Sequence, residues 1–201
     1  MKASDFNLSK ELKFDTAKGL TTFQHSRMLI LEANAMGLLR QQIIDAVGIH
    51  KAREILLQFG YQDGFADFLQ MKLSHDFDSE NDLLAVGPMI HTWEGIVRAV
   101  PRGEPRCDRA SGEFFFTGRW ENSYEAEQYL CFNDFAREPV CWTLAGYASG
   151  WCSAFFGKPV VAMETACAGT GDEWCDWEIR TPPAWNGKAA PYVAALRQFG
   201  I

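Results

Sequence analysis

Residues 163–177, METACAGTGDEWCDW, place one carboxylate, Glu164, and two thiols, Cys167 and Cys175, around a Gly-rich turn. This stretch has to fold back on itself. Val160 to Cys167 and Glu173 to Arg180 read as the two strands of a hairpin, with Ala168-Gly-Thr-Gly-Asp172 between them. Thiols brought together in this way admit three readings. They can form a disulfide, they can be small buried hydrophobes on neighbouring strands, or they can be part of a metal site that draws a further ligand from elsewhere. The N-terminus MKASDFNLSKELKFD lacks the apolar stretch of a secretory signal, so a cytoplasmic location is expected. In that compartment paired thiols read as metal or redox chemistry before disulfides.

Six cysteines are present, and Cys141 lies near the start of a helix expected from about Pro139 to Phe156, just before the hairpin. A helix N-terminus favours thiolate, the species that binds metal. Glu164 stands three residues before Cys167. Residues three apart on a strand face opposite sides, so Glu164 joins the thiols only through a bend or bulge. Three thiolates and one carboxylate suit zinc in a tetrahedral site, and four protein ligands make such a site structural rather than catalytic.

Elsewhere the pattern divides the chain. From Phe23 to Val47 the apolar residues recur at helical spacing, and Gly48 is a plausible stop. Further helices are expected at 50–59, closed by Gly60, and at 63–73, with the acidic run DFDSEND at 76–82 as a solvated loop. The helical period is lost over Ile90–Val100 and Arg106–Trp120, where a turn at Asp108–Gly112 leads into an aromatic strand ending at Trp120. Asn122 with Glu125 resembles a capping box that opens a helix over 123–134. Helices followed by strand pairs and more helices define an α+β fold. The net charge of −7 argues against a nucleic-acid footprint, and no apolar run is long enough to span a membrane.

The second informative pair of segments is GPMIHTWEGIV, 87–97, and FFFTGRWENSYE, 114–125. Imidazole donates or accepts a hydrogen bond and indole N–H only donates, so His91 and Trp120 together could hold a hydroxyl group. Trp93, Phe116, Tyr147 and Trp151 are the candidate ring contacts. The run LAGYASGW in the helix after Pro139 reads either as close helix packing or as space for a ligand. No hydrolase elbow, metalloprotease helix, Walker loop or dinucleotide fingerprint occurs.

Taken together, YQDGFAD (61–67), GPMIHTWEGIV, WENSYEAEQ (120–128), EPVCWTLAGYASGW (138–151) and ETACAGTGDEWC (164–175) resemble the N-terminal sensor of aromatic-responsive, sigma-54-dependent activators, the XylR/DmpR/MopR group of NtrC-type regulators. The resemblance implies a helical N-terminal part followed by a vinyl-reductase-like unit at about 120–180, stapled by zinc on Cys141, Glu164, Cys167 and Cys175. It implies that His91 and Trp120 bind a phenolic hydroxyl. It implies a homodimer formed through an arm and helix at 1–45, a sensor body at 46–180, and residues 181–201 as the start of a linker to AAA+ and DNA-binding domains. The sequence departs from the pattern at Trp93, where a smaller aliphatic residue is usual, and at Trp151, where tyrosine is expected; Gly118 lies in the pocket strand. Two other readings are a zinc-containing vinyl-reductase-type enzyme, or reductase partner, acting on a hydrophobic substrate, and a thiol redox sensor.

Overall fold

The computed structural model describes residues 1–200; Ile201, the last residue of the segment read as a linker, lies outside the described residues. A short helix α1 (Leu8–Glu11) leads into an antiparallel meander of β1 (Leu12–Asp15), β2 (Leu20–Phe23) and β3 (Ser26–Met28). Helices α2 (Ala33–Val47), α3 (Ile49–Ser74) and α4 (Glu80–Trp93) follow. The second half contributes β4 (Arg98–Pro101), β5 (Arg106–Asp108), β6 (Glu113–Glu121), α5 (Tyr124–Phe132), α6 (Trp142–Phe156), β7 (Val161–Ala166), β8 (Cys175–Arg180) and α7 (Ala190–Leu196). The larger sheet is antiparallel in the order β4-β6-β8-β7, and β5 pairs with β6. The mixed helix-and-sheet architecture agrees with the α+β expectation. No helix among the described residues is long and apolar enough to cross a membrane.

Helix α6 is the centre of the molecule, with 12 of its 15 residues buried. A helix enclosed on all sides needs no amphipathic stripe. One side of it meets the sheet. Ser149 Oγ accepts from Ala162 N at 2.8 Å, and Ser153 Oγ accepts from Val160 N at 3.0 Å, so both buried hydroxyls tie α6 to the start of β7. The other side meets α3 without intervening side chains. A Cβ added at Gly60 or Gly64 of α3 would lie 2.1 or 2.2 Å from the carbonyl oxygens of Thr143 and Tyr147. A Cβ added at Gly146 or Gly150 of α6 would lie 2.3 or 2.1 Å from those of Leu57 and Tyr61. Two Gly-x-x-x-Gly pairs therefore interlock, backbone on backbone, which is the close approach that small residues permit.

This seam explains the main difference from the sequence reading. Gly60 does not stop a helix; α3 runs through it for 26 residues, because packing against α6 outweighs the propensity loss of about 1 kcal/mol for an interior glycine. Other boundaries also move. Residues 20–28 are strands rather than the start of a helix, because the β-branched pair Thr21-Thr22 extends and Gln24, at φ 52°, makes the tight turn between β2 and β3. The acidic run at 76–82 is not simply a solvated loop. Ser79 caps α4 by accepting from Asp82 N at 3.1 Å, and the Asp82 carboxylate accepts from Ala3 N at 2.9 Å, which fastens the N-terminal segment. Helix α4 then continues through Ile90 and His91, where a strand was expected. Ser123, not Asn122, caps α5, and α6 begins at Trp142 with Cys141 as its N-cap.

Gly60→Ala is expected to lower the unfolding free energy by about 2 kcal/mol or more, the cost of overpacking a close contact. Intrinsic helix propensity alone gives the opposite sign, a gain of about 1 kcal/mol. Urea unfolding followed by circular dichroism separates the two.

Candidate functional site

Two sites flank α6. The first is at its N-terminus. The β7–β8 hairpin pairs Glu164 with Trp177, then shifts register so that Ala166 pairs with Asp176. Thr165 is the extra residue, and this bulge supplies the bend that a Glu-x-x-Cys spacing requires on a strand. Glu164, Cys167 and Cys175 consequently meet Cys141, and their ligand atoms all lie within 4.8 Å of one another. The Cys141 and Cys175 sulfurs are 3.8 Å apart and those of Cys175 and Cys167 are 3.9 Å apart. All six cysteines are free. A tetrahedron with metal–sulfur bonds of about 2.3 Å has edges of about 3.8 Å.

The surroundings are built for a charged cluster. Cys141 N donates to Glu164 Oε2 at 2.9 Å, Ser123 Oγ lies 3.1 Å from Cys141 Sγ, and Ala168 N donates to Cys175 Sγ at 3.3 Å. Glu164 Oε1 is buried with no hydrogen-bond partner. Burial holds the Cys141 thiol and the Glu164 carboxyl well above their ordinary ranges. The Cys167 thiol lies far below its range because the other two thiols hydrogen-bond to it. Four convergent soft and anionic donors, one carboxylate oxygen among them unpartnered, are what a divalent cation would neutralise. The residue set fits a metal.

A buried ion pair supports this end of α6. Glu125 is fully buried and accepts from Thr143 N at 3.1 Å and Leu144 N at 3.0 Å, placing a carboxylate on the first turn of the helix. Arg40 of α2 pairs with Glu125, donates to the Val140 carbonyl and lies 4.4 Å from the centre of the Trp142 ring. Breaking such a pair from one side typically costs about 3–5 kcal/mol. The sequence reading assigned no role to Arg40 or Glu125 as a pair.

The second site is a cavity of about 30 Å³ between α4, α6 and the sheet. Its walls include His91, Phe116, Trp120, Tyr147 and Trp151, five of the six ring and hydroxyl contacts named from the sequence. Trp93 is not in its wall; that ring sits 5.9 Å from Phe23. The structure adds Trp177, Ile179, Cys152, Ala148 and the α4 residues Leu84, Gly87 and Pro88. The α4 set was legible, since 84, 87, 88 and 91 share one helical face, but it was hidden by reading the segment as loop and strand. Trp177 follows from register: it pairs with Gly118, whose added Cβ would lie 2.3 Å from Trp177 Cζ2. Gly118 makes room for that indole.

Ring geometry sorts the walls. His91 and Tyr147 have centroids 3.8 Å apart, and Tyr147 stacks at 6.1 Å on Trp151. On the sheet side Trp177 lies 5.2 Å from Phe116 and 5.9 Å from Trp120. Tyr147 Oη donates to Asp67 Oδ2 at 3.1 Å, so its hydroxyl is engaged and its ring forms the wall. Burial pushes the Asp67 carboxyl up to about 6, aided by Asp63. Burial alone pushes His91 down to about 3, so its imidazole is neutral at pH 7. The lining contains no Lys, Arg, Asp or Glu. An apolar chamber with a few hydrogen-bonding groups has the form of a small-molecule site.

Two families match this chain. The family described as activator of aromatic catabolism matches residues 7–103, and the vinyl-reductase-type (4-vinyl reductase) domain matches residues 117–181. The transcriptional regulatory protein XylR of Pseudomonas putida is 30% identical over 182 residues, 90% of this chain and 32% of that protein. The phenol regulator MopR of Acinetobacter guillouiae is 31% identical over 170 residues, 84% of this chain and 30% of that protein. The chain thus spans about a third of the length of these curated relatives. The phenol-responsive sensory domain of the transcription activator PoxR, solved with phenol, superposes with a TM-score of 0.83 at 30% identity, covering 96% of this chain and 94% of that one.

His91 gives this site a pH signature. Its proton affinity falls from 6.5 in the unfolded chain to about 3 in the fold, so between these values only the unfolded state takes up the proton. Acidification from pH 7 to 5 is expected to destabilise the wild type by about 2 kcal/mol more than a His91→Phe variant. Parallel urea titrations at the two pH values measure the difference.

Proposed function

The chain belongs to the family of aromatic-effector sensor domains of XylR-type transcriptional activators, and from this premise we propose that it binds a phenol-type effector in the α4–α6–sheet cavity and so relieves repression of a downstream AAA+ ATPase. The observation that carries the reading is the near-complete match to a phenol-responsive sensory domain, together with a neutral His91 and Trp120 in one apolar chamber. The phenolic O–H donates to an unprotonated His91 nitrogen, and the phenolic oxygen accepts from the Trp120 indole N–H. Burying roughly 150 Å² of ring contributes about 4 kcal/mol. Leaving either polar group unpaired costs about 1–3 kcal/mol, which sets the preference for a hydroxylated ring.

The cavity volume supplies the switch. About 30 Å³ is well below the ~150 Å³ of an engineered cavity that admits benzene. A ring can bind only by moving side chains of the wall, so binding favours a second arrangement of the domain. A ligand with different affinity for two states is what shifts an equilibrium between them.

Cys141, Glu164, Cys167 and Cys175 would hold a zinc ion, which would cross-link the start of α6 to the hairpin without offering an open coordination position. The sulfur separations and the orphaned Glu164 oxygen support this role. Residues 1–45 would pair two copies, because Leu29, Ile30 and Leu31 are 61–73% exposed and Leu38 and Leu39 about half exposed. Residues 181–201 would start the linker to AAA+ and DNA-binding domains. The relatives are regulatory proteins, and a sensor without turnover is the reading that follows from them.

Calorimetric titration is expected to show that His91→Ala weakens phenol binding about tenfold or more and benzene binding little. Equal losses for both ligands would reduce His91 to packing. Metal analysis is expected to give one zinc per chain, lost in Cys175→Ser with a lowered melting temperature and retained in Cys131→Ser. A fully folded, metal-free wild type would contradict the zinc assignment.

A further inference from the structure

Two buried donors in the cavity wall remain unexplained by a phenolic hydroxyl. The Trp151 and Trp177 indole N–H groups are buried without hydrogen-bond partners, and these residues are 2% and 3% exposed. They stand on opposite walls, Trp151 on α6 and Trp177 on β8. Each indole has been given space by a glycine. A Cβ added at Gly87 would lie 2.9 Å from Trp151 Nε1, and Gly87 itself lines the cavity, which puts the N–H edge at the wall. Trp177 lies across Gly118 in the same way. Indole N–H has no alternative role: it donates or it is left orphaned, and an orphaned buried donor is destabilising by about 1–3 kcal/mol. Native proteins leave few such groups without a reason.

Resting on the effector-binding reading, we infer that Trp151 and Trp177 form an acceptor subsite, so that the effector carries an uncharged oxygen acceptor on the ring in addition to its phenolic hydroxyl. Methoxy, carbonyl and nitro substituents are the chemical class that fits. A carboxylate does not, because the lining offers no cation to pair with it and the imidazole beside it is neutral. His91 and Trp120 hold the hydroxyl, while the two further indoles read the second oxygen. The subsite distinguishes rings of equal volume by polarity, which apolar packing alone does poorly.

The test is a calorimetric comparison of phenol, the three methoxyphenols, the three ethylphenols as acceptor-free partners of similar size, and 4-hydroxybenzoate. The best methoxyphenol is expected to bind about fivefold or more tighter than the ethylphenol of the same substitution, the gain of roughly one neutral hydrogen bond. Hydroxybenzoate is expected to bind weakest. Trp151→Phe or Trp177→Phe removes an N–H and keeps an aromatic ring. At least one of them is expected to abolish the methoxy preference while phenol affinity stays within about twofold. If one variant does not fold, the other variant and the wild-type series still decide. Ethylphenols binding as tightly as methoxyphenols in the wild type would overturn the inference, as would a preference that survives in both variants, and the sensor reading would stand. Failure of every phenol to bind would overturn the sensor reading and this inference with it.

Discussion

Carbonyl oxygens packed directly onto α-carbons hold α3 against α6, and the placement of both sites depends on that contact. Gly60, Gly64, Gly146 and Gly150 let the two backbones approach to a distance at which any side chain would collide with a carbonyl group. With α3 so close, the opposite side of α6 faces the sheet across the aromatic cavity, and Tyr147 and Trp151 are carried into its wall. The same approach brings Asp67 of α3 within hydrogen-bonding distance of the Tyr147 hydroxyl. Helix burial here is a consequence of backbone fit more than of side-chain interdigitation, which is why small residues dominate its contact side.

The N-terminal end of α6 collects a different set of forces. Cys141 is the helix N-cap, and its amide is bonded to Glu164, itself one of four convergent donors. One turn in, Glu125 accepts two further amides and is balanced by Arg40. Arg40 and Gly37 are the only buried residues of α2. An otherwise superficial helix therefore reaches the support of the metal-ligand cluster through a single side chain, and α2, α5, α6 and the hairpin are fixed relative to one another by charge as much as by apolar contact.

Much of this was legible in the sequence. The hairpin strands, the turn at Asp108–Gly112 and the α+β character follow from period and turn residues, and the bulge at Thr165 follows from the demand that Glu164 and Cys167 share a face. What was hidden has a common cause. Gly60 reads as a breaker when only its own helix is considered, and becomes a requirement only when the partner backbone is known. Helix α4 contains Pro88 and Gly87, both poor helix formers, and its N-cap lies inside an acidic run that reads as solvated. Arg40 and Glu125 are 85 residues apart, and nothing local marks either as buried. Trp177 enters the cavity through register with Gly118, which is a property of strand pairing and not of composition.

The C-terminal segment gives the seam a mechanical meaning. Phe199 stacks on Tyr61 at 4.8 Å, and Gln58 Nε2 donates to the Ala195 carbonyl at 2.8 Å, so the segment after β8 lies back along α3. Tyr61 is also the residue whose carbonyl abuts Gly150, one position before Trp151. Between the cavity wall and the end of the described chain there is thus no compressible layer at this point, only main chain against main chain and one stacked ring. A shift of α6 by a fraction of an ångström is not absorbed by rotamer changes on the way, as it would be in an ordinary helix interface, and the segment resting on Tyr61 has to move with it or let go.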